Sequence, residues 1–426
     1  MKRKTSVCFA IVFWVLQASA TYSAPQQSER MRLEDLVREA LDRNPEIRAA
    51  GRAVDAARSR VSPAGALPDP EMMFGQMNEG NILPFTTLGD PDAGFSEVYA
   101  GFNQEFPYPG KRALRRKVAG LEASAEESRY RFTRLRVVSE VKSAFYELYA
   151  VHKSLEVVER ERSLLEQVEK VASTRYSVGK GIQQDVLDAG VEISRLDERL
   201  IALQQRLKTS EALLNSLLDR PNDTPLARPG EIQQSSLAYG LADLTRLAEQ
   251  NFPLLESEQR AIERDASALD LARKGKYPDF GVTFVYHNRG GNRDYWTIGG
   301  TLKIPLYFGS KQRYEIEEAA ANAARSRAAY QNTRAQTLYR VESAYLMAET
   351  AGRLLKLYDE AILRQSSFSL ESAIANYEVG KVDFITLLAA WNRVLNYELT
   401  RHEHLAEYQK ALAQLEPLVG VELAGE

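Results

Sequence analysis

The chain has 426 residues, of which 27% are charged, and its formal net charge at pH 7 is −3. This balance gives no electrostatic basis for nucleic-acid binding, and no basic run is interleaved with base-stacking aromatic residues. Composition therefore excludes a nucleic-acid partner. It is compatible with an exported, helical or membrane-associated protein.

Residues 1–20 predict a signal peptide. Basic residues at positions 2–4 precede an apolar run at 7–16, which is too short to cross a bilayer as a mature helix. A small-x-small site predicts cleavage after Ala20. The only cysteine, Cys8, lies in this segment, so the predicted mature chain has no disulfide and no thiolate ligand. Because no later stretch approaches 18 apolar residues, we expect no transmembrane helix.

The rest of the chain contains two tandem copies of one plan. Tyr-Ser-Val-Gly-Lys at 176–180 matches Tyr-Glu-Val-Gly-Lys at 377–381, and a Pro-marked phrase at 106–111 matches one at 304–309. A third match joins the proline-containing residues 44–47 and 252–255, and three matches in one order indicate a duplication. We predict a first repeat at 21–230, a connector at 231–240, a second repeat at 241–420 and a tail at 421–426.

Each repeat begins with one predicted helical stretch, at about 33–61 and about 241–274. A β-hairpin follows in each, at about 70–108 and about 278–307. In the second hairpin, Phe280, Val282, Phe284 and Tyr286 share one face of a strand. Strands of about 9 to 11 residues have the length of a tilted transmembrane β-strand.

Aromatic residues cluster at the ends of these strands and predict an interfacial girdle. They are Phe95, Tyr99, Tyr108, Tyr286, Tyr295, Trp296, Tyr307 and Phe308. Four strands cannot close a membrane barrel, and each unpaired edge group in hydrocarbon costs several kcal/mol. Several chains must therefore share one barrel if the strands enter a membrane. The alternative is two small hairpins packed on a soluble helical body.

Each repeat ends in a predicted helical hairpin, with tips near 176–182 and 377–383. No Gly or Pro occurs from 121 to 178, about 58 residues, which as one helix would be about 87 Å long. Gly179 and Gly380 occupy the positions where such helices end in a tight turn. The returning helix carries a heptad seam from Val186 to Leu217, so the hairpin is predicted to pack as a coiled coil.

At these residues the chain resembles the outer membrane efflux protein family of the TolC type. The resemblance covers nearly all of the predicted mature chain. It implies a mainly α fold with internally duplicated helical hairpins forming an α-barrel, and four β-strands per chain in a trimeric 12-stranded barrel. It also implies the outer membrane of a Gram-negative bacterium, a periplasmic adaptor, and an inner-membrane pump of the resistance-nodulation-division type.

Residues 105–116 are similar to the heavy-metal-resistance, CzcC-like branch, which implies divalent cations as cargo. Within the family, the tip residues face the adaptor. The corresponding residues are Tyr176, Val178, Gly179, Lys180, Tyr377, Val379, Gly380 and Lys381. The alternative is a simple turn without a contact role.

Some members narrow the periplasmic entrance with two aspartates just past the second tip. This chain has Asp185 and Asp188 past the first tip but Thr386 and Ala389 past the second, which departs from that pattern. Asp185 and Asp188, one helical turn apart, are candidate pore acids, as is Asp383. The alternative for the first two is a solvated face or a salt bridge.

The remaining chemistry is sparse. His402 and His404 are two residues apart and point to different helix faces, and the methionines near position 72 are expected to pack on a strand. No phosphate loop, metalloprotease helix or catalytic triad is present, so we predict no enzyme activity, no cofactor and no metal site.

One basic cluster opens the long helix of the first repeat: Lys111, Arg112, Arg115, Arg116 and Lys117. It is expected to be a solvated helix start; the alternative is a position next to anionic lipid headgroups.

The predicted function is a passive outer-membrane efflux channel. The alternative is a soluble periplasmic coiled-coil scaffold or adaptor, which would lack apolar strand faces.

Overall fold

The computed structural model describes residues 31–78, 96–290, 292–421 and 423. The predicted signal peptide, Phe95 and most of the predicted tail lie outside these ranges. The described chain is mainly helical, with four strands grouped at one end of a long helical body.

The first repeat comprises α1 (Leu33–Arg43), α2 (Pro45–Ala64), β1 (Glu71–Asn78), β2 (Ser96–Phe106), α3 (Lys111–Ser177) and α4 (Gln183–Leu217). The second comprises α5 (Leu241–Asn251), α6 (Pro253–Lys274), β3 (Asp279–Asn288), β4 (Tyr295–Lys303), α7 (Gln312–Leu357), a π-helix (Tyr358–Ile362), α8 (Leu363–Glu378) and α9 (Phe384–Val419). The two copies thus present the same elements in the same order.

The leading helix of each repeat is broken in two, which corrects the prediction of a single stretch. Pro45 and Pro253 each occupy the first position of a new helix. Proline lacks the N–H that a continuing helix needs, and it disfavours helical geometry at the residue before it. At the first break the Asn44 side chain accepts hydrogen bonds from the backbone N–H groups of Glu46, at 2.9 Å, and Ile47, at 3.2 Å.

The long helices form the body of the molecule. α3 has 67 residues and is about 100 Å long, and it packs against α4 and α9. α9 in turn packs against α7 and α8. In α4 the predicted heptad seam lies toward this core, where Ala189, Leu196 and Leu214 are buried.

Buried positions repeat between the two copies and give the spacing of the duplication. From α1 to β1 the copies are offset by 208 residues, so that Leu36 and Leu244 are both buried. From β2 into α3, which correspond to β4 and α7 of the second repeat, the offset is 200, as in the buried pair Val141 and Val341. At the tips it is 201, since 176–180 matches 377–381.

The π-helix lies between the regions of different offset. A π-helical turn accommodates one extra residue within an α-helix. The second repeat therefore contains a one-residue insertion at 358–362. After this insertion, the buried face of the second repeat matches that of the first again, at an offset of 201. Sequence reasoning did not predict this feature.

The four strands form one antiparallel sheet in the order β1-β2-β3-β4. The hairpins of the two repeats are therefore not separate, because β2 pairs with β3 from Val98 opposite Asn288 to Phe106 opposite Phe280. Among the described residues, β1 and β4 are the edges of this sheet.

The sheet has one apolar and one mainly polar face. Large exposed apolar side chains occupy the first: Met72, Phe74, Phe102, Phe106, Phe280, Val282, Tyr286, Trp296, Ile298 and Leu302. The opposite face carries Glu97, Asn103, Glu105, Thr283, His287, Thr297, Thr301 and Lys303. Alternation at a period of two produces this division.

Candidate functional site

Both helical hairpin tips close with the same backbone turn. Lys180 N–H donates to the Arg175 carbonyl at 2.8 Å, and Gly179 N–H donates to the Tyr176 carbonyl at 3.0 Å. The second tip repeats these bonds, with Lys381 and Gly380 as donors. Gly179 has φ +71° and Gly380 has φ +74°, in the left-handed region that glycine enters without strain.

Most tip side chains are exposed, and one is not. Val178, Lys180, Val379 and Lys381 all lie at the surface at the end of the body farthest from the sheet. Tyr377 is only 5% exposed, so its side chain does not belong to the accessible surface predicted for an adaptor. The equivalent Tyr176 is exposed, which makes the two tips different.

Tyr377 connects the two hairpins. The Arg175 guanidinium lies 4.7 Å from the centre of its ring and donates to its carbonyl oxygen at 2.6 Å. The Tyr377 hydroxyl donates to the Asp185 carboxylate at 3.3 Å. Burial, and then the negative charge of Asp185, raise the pKa of Tyr377. We call Arg175, Tyr377 and Asp185 the tip latch.

The three predicted pore acids occupy different environments. Asp185 belongs to the tip latch, whereas Asp188 accepts a hydrogen bond from Gln184 at 2.7 Å. Asp383 is the N-cap of α9 and accepts from the Thr386 backbone N–H at 2.9 Å. Hydrogen bonds from Thr386 lower the pKa of Asp383. Of the three, only Asp185 bonds across to the other hairpin.

A second polar cluster joins the base of the sheet to the helices. Lys111 Nζ lies 2.7 Å from Asp279 Oδ1 and donates to the Tyr277 carbonyl at 3.0 Å. Tyr108 N–H donates to the same carboxylate oxygen at 2.6 Å, and its ring stacks on Tyr277 with 4.5 Å between centroids. Lys111 is therefore buried, which corrects the prediction of a solvated helix start, although Arg115 remains exposed.

The polar face of the sheet holds a cluster that sequence reasoning missed. The Glu97 carboxylate is 1% exposed; it lies 2.7 Å from His287 Nδ1 and accepts from the Tyr295 hydroxyl at 2.7 Å. His287 and Tyr295 stack with 4.3 Å between ring centroids. These residues come together only because β2 pairs with β3, a contact between the two repeats.

No group of three or more potential metal-ligating His, Cys, Asp or Glu side chains occurs within the described ranges. Among the helices in the described part of the chain, none is long and apolar enough to cross a membrane.

Comparisons with known proteins agree on one family. This family is the Outer membrane efflux protein family, and its sequence model matches residues 36–220 and 244–421, one segment in each repeat. Outer membrane protein TolC of Vibrio cholerae is 22% identical over 95% of this chain and 93% of its own length. Protein CyaE of Bordetella pertussis is 25% identical over 49% of this chain, and the match spans 46% of CyaE.

Solved structures show the same fold. The outer membrane protein VceC of Vibrio cholerae has a TM-score of 0.79 at 17% identity, covering 92% of this chain and 96% of VceC. CusC has a TM-score of 0.80 at 18% identity, covering 91% of each chain. These similarities confirm the fold and do not single out the CzcC-like branch. The chain therefore belongs to the outer membrane efflux protein family and is an efflux channel protein of the outer membrane.

Proposed function

We propose that three copies of this chain form the outer-membrane channel of a tripartite efflux system, with twelve strands in one barrel above one helical barrel. The observation that carries the proposal is a four-stranded sheet with one apolar face and two edges, attached to a helical body about 100 Å long. Edge groups facing hydrocarbon would each cost several kcal/mol, and pairing between protomers removes that cost.

The exposed tips are the proposed contact with a periplasmic adaptor. Val178 and Lys180 on one hairpin, and Val379 and Lys381 on the other, offer apolar and cationic groups at the far end of the body. Exposed valines beside glycine turns suit packing against another helical hairpin. The adaptor would link this channel to an inner-membrane pump of the resistance-nodulation-division type, so transport through this subunit is passive.

Divalent heavy-metal cations are the proposed cargo. This preference rests on the similarity of residues 105–116 to the CzcC-like branch. Lys111 of that segment pairs with Asp279, so this residue is not available to bind cargo. Glu105 on the polar face of the sheet, and Asp185 and Asp188 near the tip, are acidic groups that suit a cation path.

A deletion strain tests this function. We expect the strain to become sensitive to zinc, cadmium or cobalt, and the wild-type gene to restore growth. Val178→Asp and Val379→Asp together should abolish restoration while the protein still reaches the outer membrane, because a charge would oppose apolar docking. Sensitivity to drugs alone would reject the metal cargo, and full restoration by the double variant would reject adaptor docking through the tips.

A further inference from the structure

The Lys111–Asp279 ion pair joins the two repeats of one chain. Lys111 opens α3 in the first repeat and Asp279 opens β3 in the second. Their side chains are only 8% and 18% exposed, and the carboxylate also accepts the Tyr108 N–H. A buried charge without its partner is strongly destabilising, so each residue requires the other.

The duplication supplies a second copy of both residues. An offset of 208 places Glu71 on Asp279, and each of these acids follows a proline and opens a strand. An offset of 200 places Lys111 on Lys311, next to the start of α7.

The hairpin registers require the same two offsets. Glu71 lies opposite Asn103 in the first hairpin, and Asp279 lies opposite Lys303 in the second. Adding 208 to Glu71 gives Asp279, and adding 200 to Asn103 gives Lys303, so the two offsets convert the first pair into the second. The equivalence of Lys311 with Lys111 thus rests on strand pairing as well as on helix burial.

Within one chain the second ion pair is absent. Lys311 and Glu71 are both exposed, and neither forms an ion pair with another residue of the described ranges. Glu71 opens β1 at one edge of the sheet, whereas Lys311 follows β4 at the other. Three strand spacings, about 14 Å, separate these edges, so the pair does not form internally.

We propose that Lys311 of one protomer binds Glu71 of the neighbouring protomer and that β4 pairs with the neighbouring β1 in the register of β2 and β3. The proposal rests on the shared barrel of the proposed function and names the contacts that close it. The subunit boundary then repeats the junction that connects the two halves of each chain.

The proposed register is specific. Within the chain, Gln104 lies opposite Val282 and Phe106 opposite Phe280. The same offsets place Ile304 opposite Phe74, and Leu306 opposite Met72, of the neighbouring protomer. All four side chains are exposed in the single chain. Met72 and Phe74 lie on the apolar face of β1, and Ile304 and Leu306 continue the period-two pattern of the apolar face of β4 just beyond its end at Lys303, so this register would place apolar groups toward lipid.

Charge reversal tests the ion pair. Glu71→Lys and Lys311→Glu should each lower the temperature at which the SDS-resistant trimer dissociates by several degrees, and the two together should restore most of that shift. Lys303→Glu is the matched control, because Lys303 lies 3.6 Å from Glu105 of its own chain. Its combination with Glu71→Lys should give no restoration. Equal stability of all variants, or rescue by the control combination, would overturn the proposal.

Cysteine cross-linking tests the register independently. Phe74→Cys with Ile304→Cys should give covalent dimers and trimers after oxidation, because facing residues in an antiparallel pair have Cα atoms about 4.5–5.5 Å apart. Met72→Cys with Leu302→Cys uses the same strands and face but lies about 14 Å out of register, so it should remain monomeric in denaturing gels.

Wild-type protein and single variants are the background controls, since Cys8 is the only native cysteine. Absence of the cross-link in a protein that still forms trimers would reject this register and leave the proposed function standing. A protein that forms no trimer in the outer membrane would instead reject the proposed function itself.

Discussion

Tyr377→Phe is predicted to weaken the tip latch without disturbing the fold of the tip. The substitution removes the hydroxyl that donates to Asp185 and leaves the buried ring beneath the Arg175 guanidinium. At 3.3 Å this hydrogen bond is longer than the usual hydroxyl bond, so we assign it about 1 kcal/mol per protomer.

The predicted effect assumes that the latch is present in the closed channel and breaks when the three protomers open together. Three lost bonds would then favour the open channel by about 3 kcal/mol, which is about a 100-fold increase in the ratio of open to closed channels. Arg175→Ala should act more strongly, because it removes both the 2.6 Å hydrogen bond to the Tyr377 carbonyl and the cation–π contact.

Conductance of the purified channel in planar bilayers measures this ratio. Tyr176→Phe is the matched control, since Tyr176 holds the equivalent place on the first tip and is exposed. We expect wild-type conductance from the control and a larger open fraction from Tyr377→Phe. The latch would be refuted by a folded Tyr377→Phe channel that opens no more than wild type, or by an equal effect in Tyr176→Phe.

Three further predictions follow from other parts of the fold. Burial, then Arg401 and Lys153, lower the pKa of His402 to about 4. Between pH 6.5 and 4 the unfolded chain therefore binds a proton that the folded chain does not, and the free energy of unfolding should fall by about 1–2 kcal/mol from pH 7.5 to pH 5. Thermal denaturation at both pH values checks this, and a His402→Phe variant with the same acid loss would contradict it. Deleting Glu360 should remove the π-helix and leave a folded trimer. Deleting Glu159 from α3 should instead rotate the buried face of the rest of that helix, toward the tip, by about 100° and prevent assembly. Native gel electrophoresis would distinguish the two outcomes. Gly179→Val and Gly380→Val should each abolish metal resistance but not membrane insertion, because both glycines have positive φ; wild-type resistance in both would argue against a role for the turns.

Local patterns in the sequence predicted what depends on neighbouring residues. The alternation from Phe280 to Tyr286 predicted a strand with an apolar face, and the glycines at 179 and 380 predicted helix ends. The break at Asn44 was also visible locally in the following proline, although a single helical stretch was predicted across it.

Other features depend on contacts between distant residues. The burial of Lys111 requires Asp279, 168 residues further along the chain. The polar contacts of Tyr377 require Arg175 and Asp185 from the other hairpin. Each of these side chains has an exposed equivalent of the same residue type in the other repeat, Lys311 or Tyr176, so residue type alone does not predict the burial. Their roles became apparent only when the pairing of the two copies was known.

The unlike surroundings of Tyr176 and Tyr377 have a consequence for symmetry. Six hairpin ends would surround the entrance of a three-chain assembly, and the tip latch joins them in three pairs, because Arg175 and Asp185 of the first tip both contact Tyr377 of the second. The entrance would then have threefold rather than sixfold character, with three latched contacts within chains alternating with three contacts between chains. A docking protein that engaged the contacts between chains first would leave the three latches intact until a second, separate contact released them.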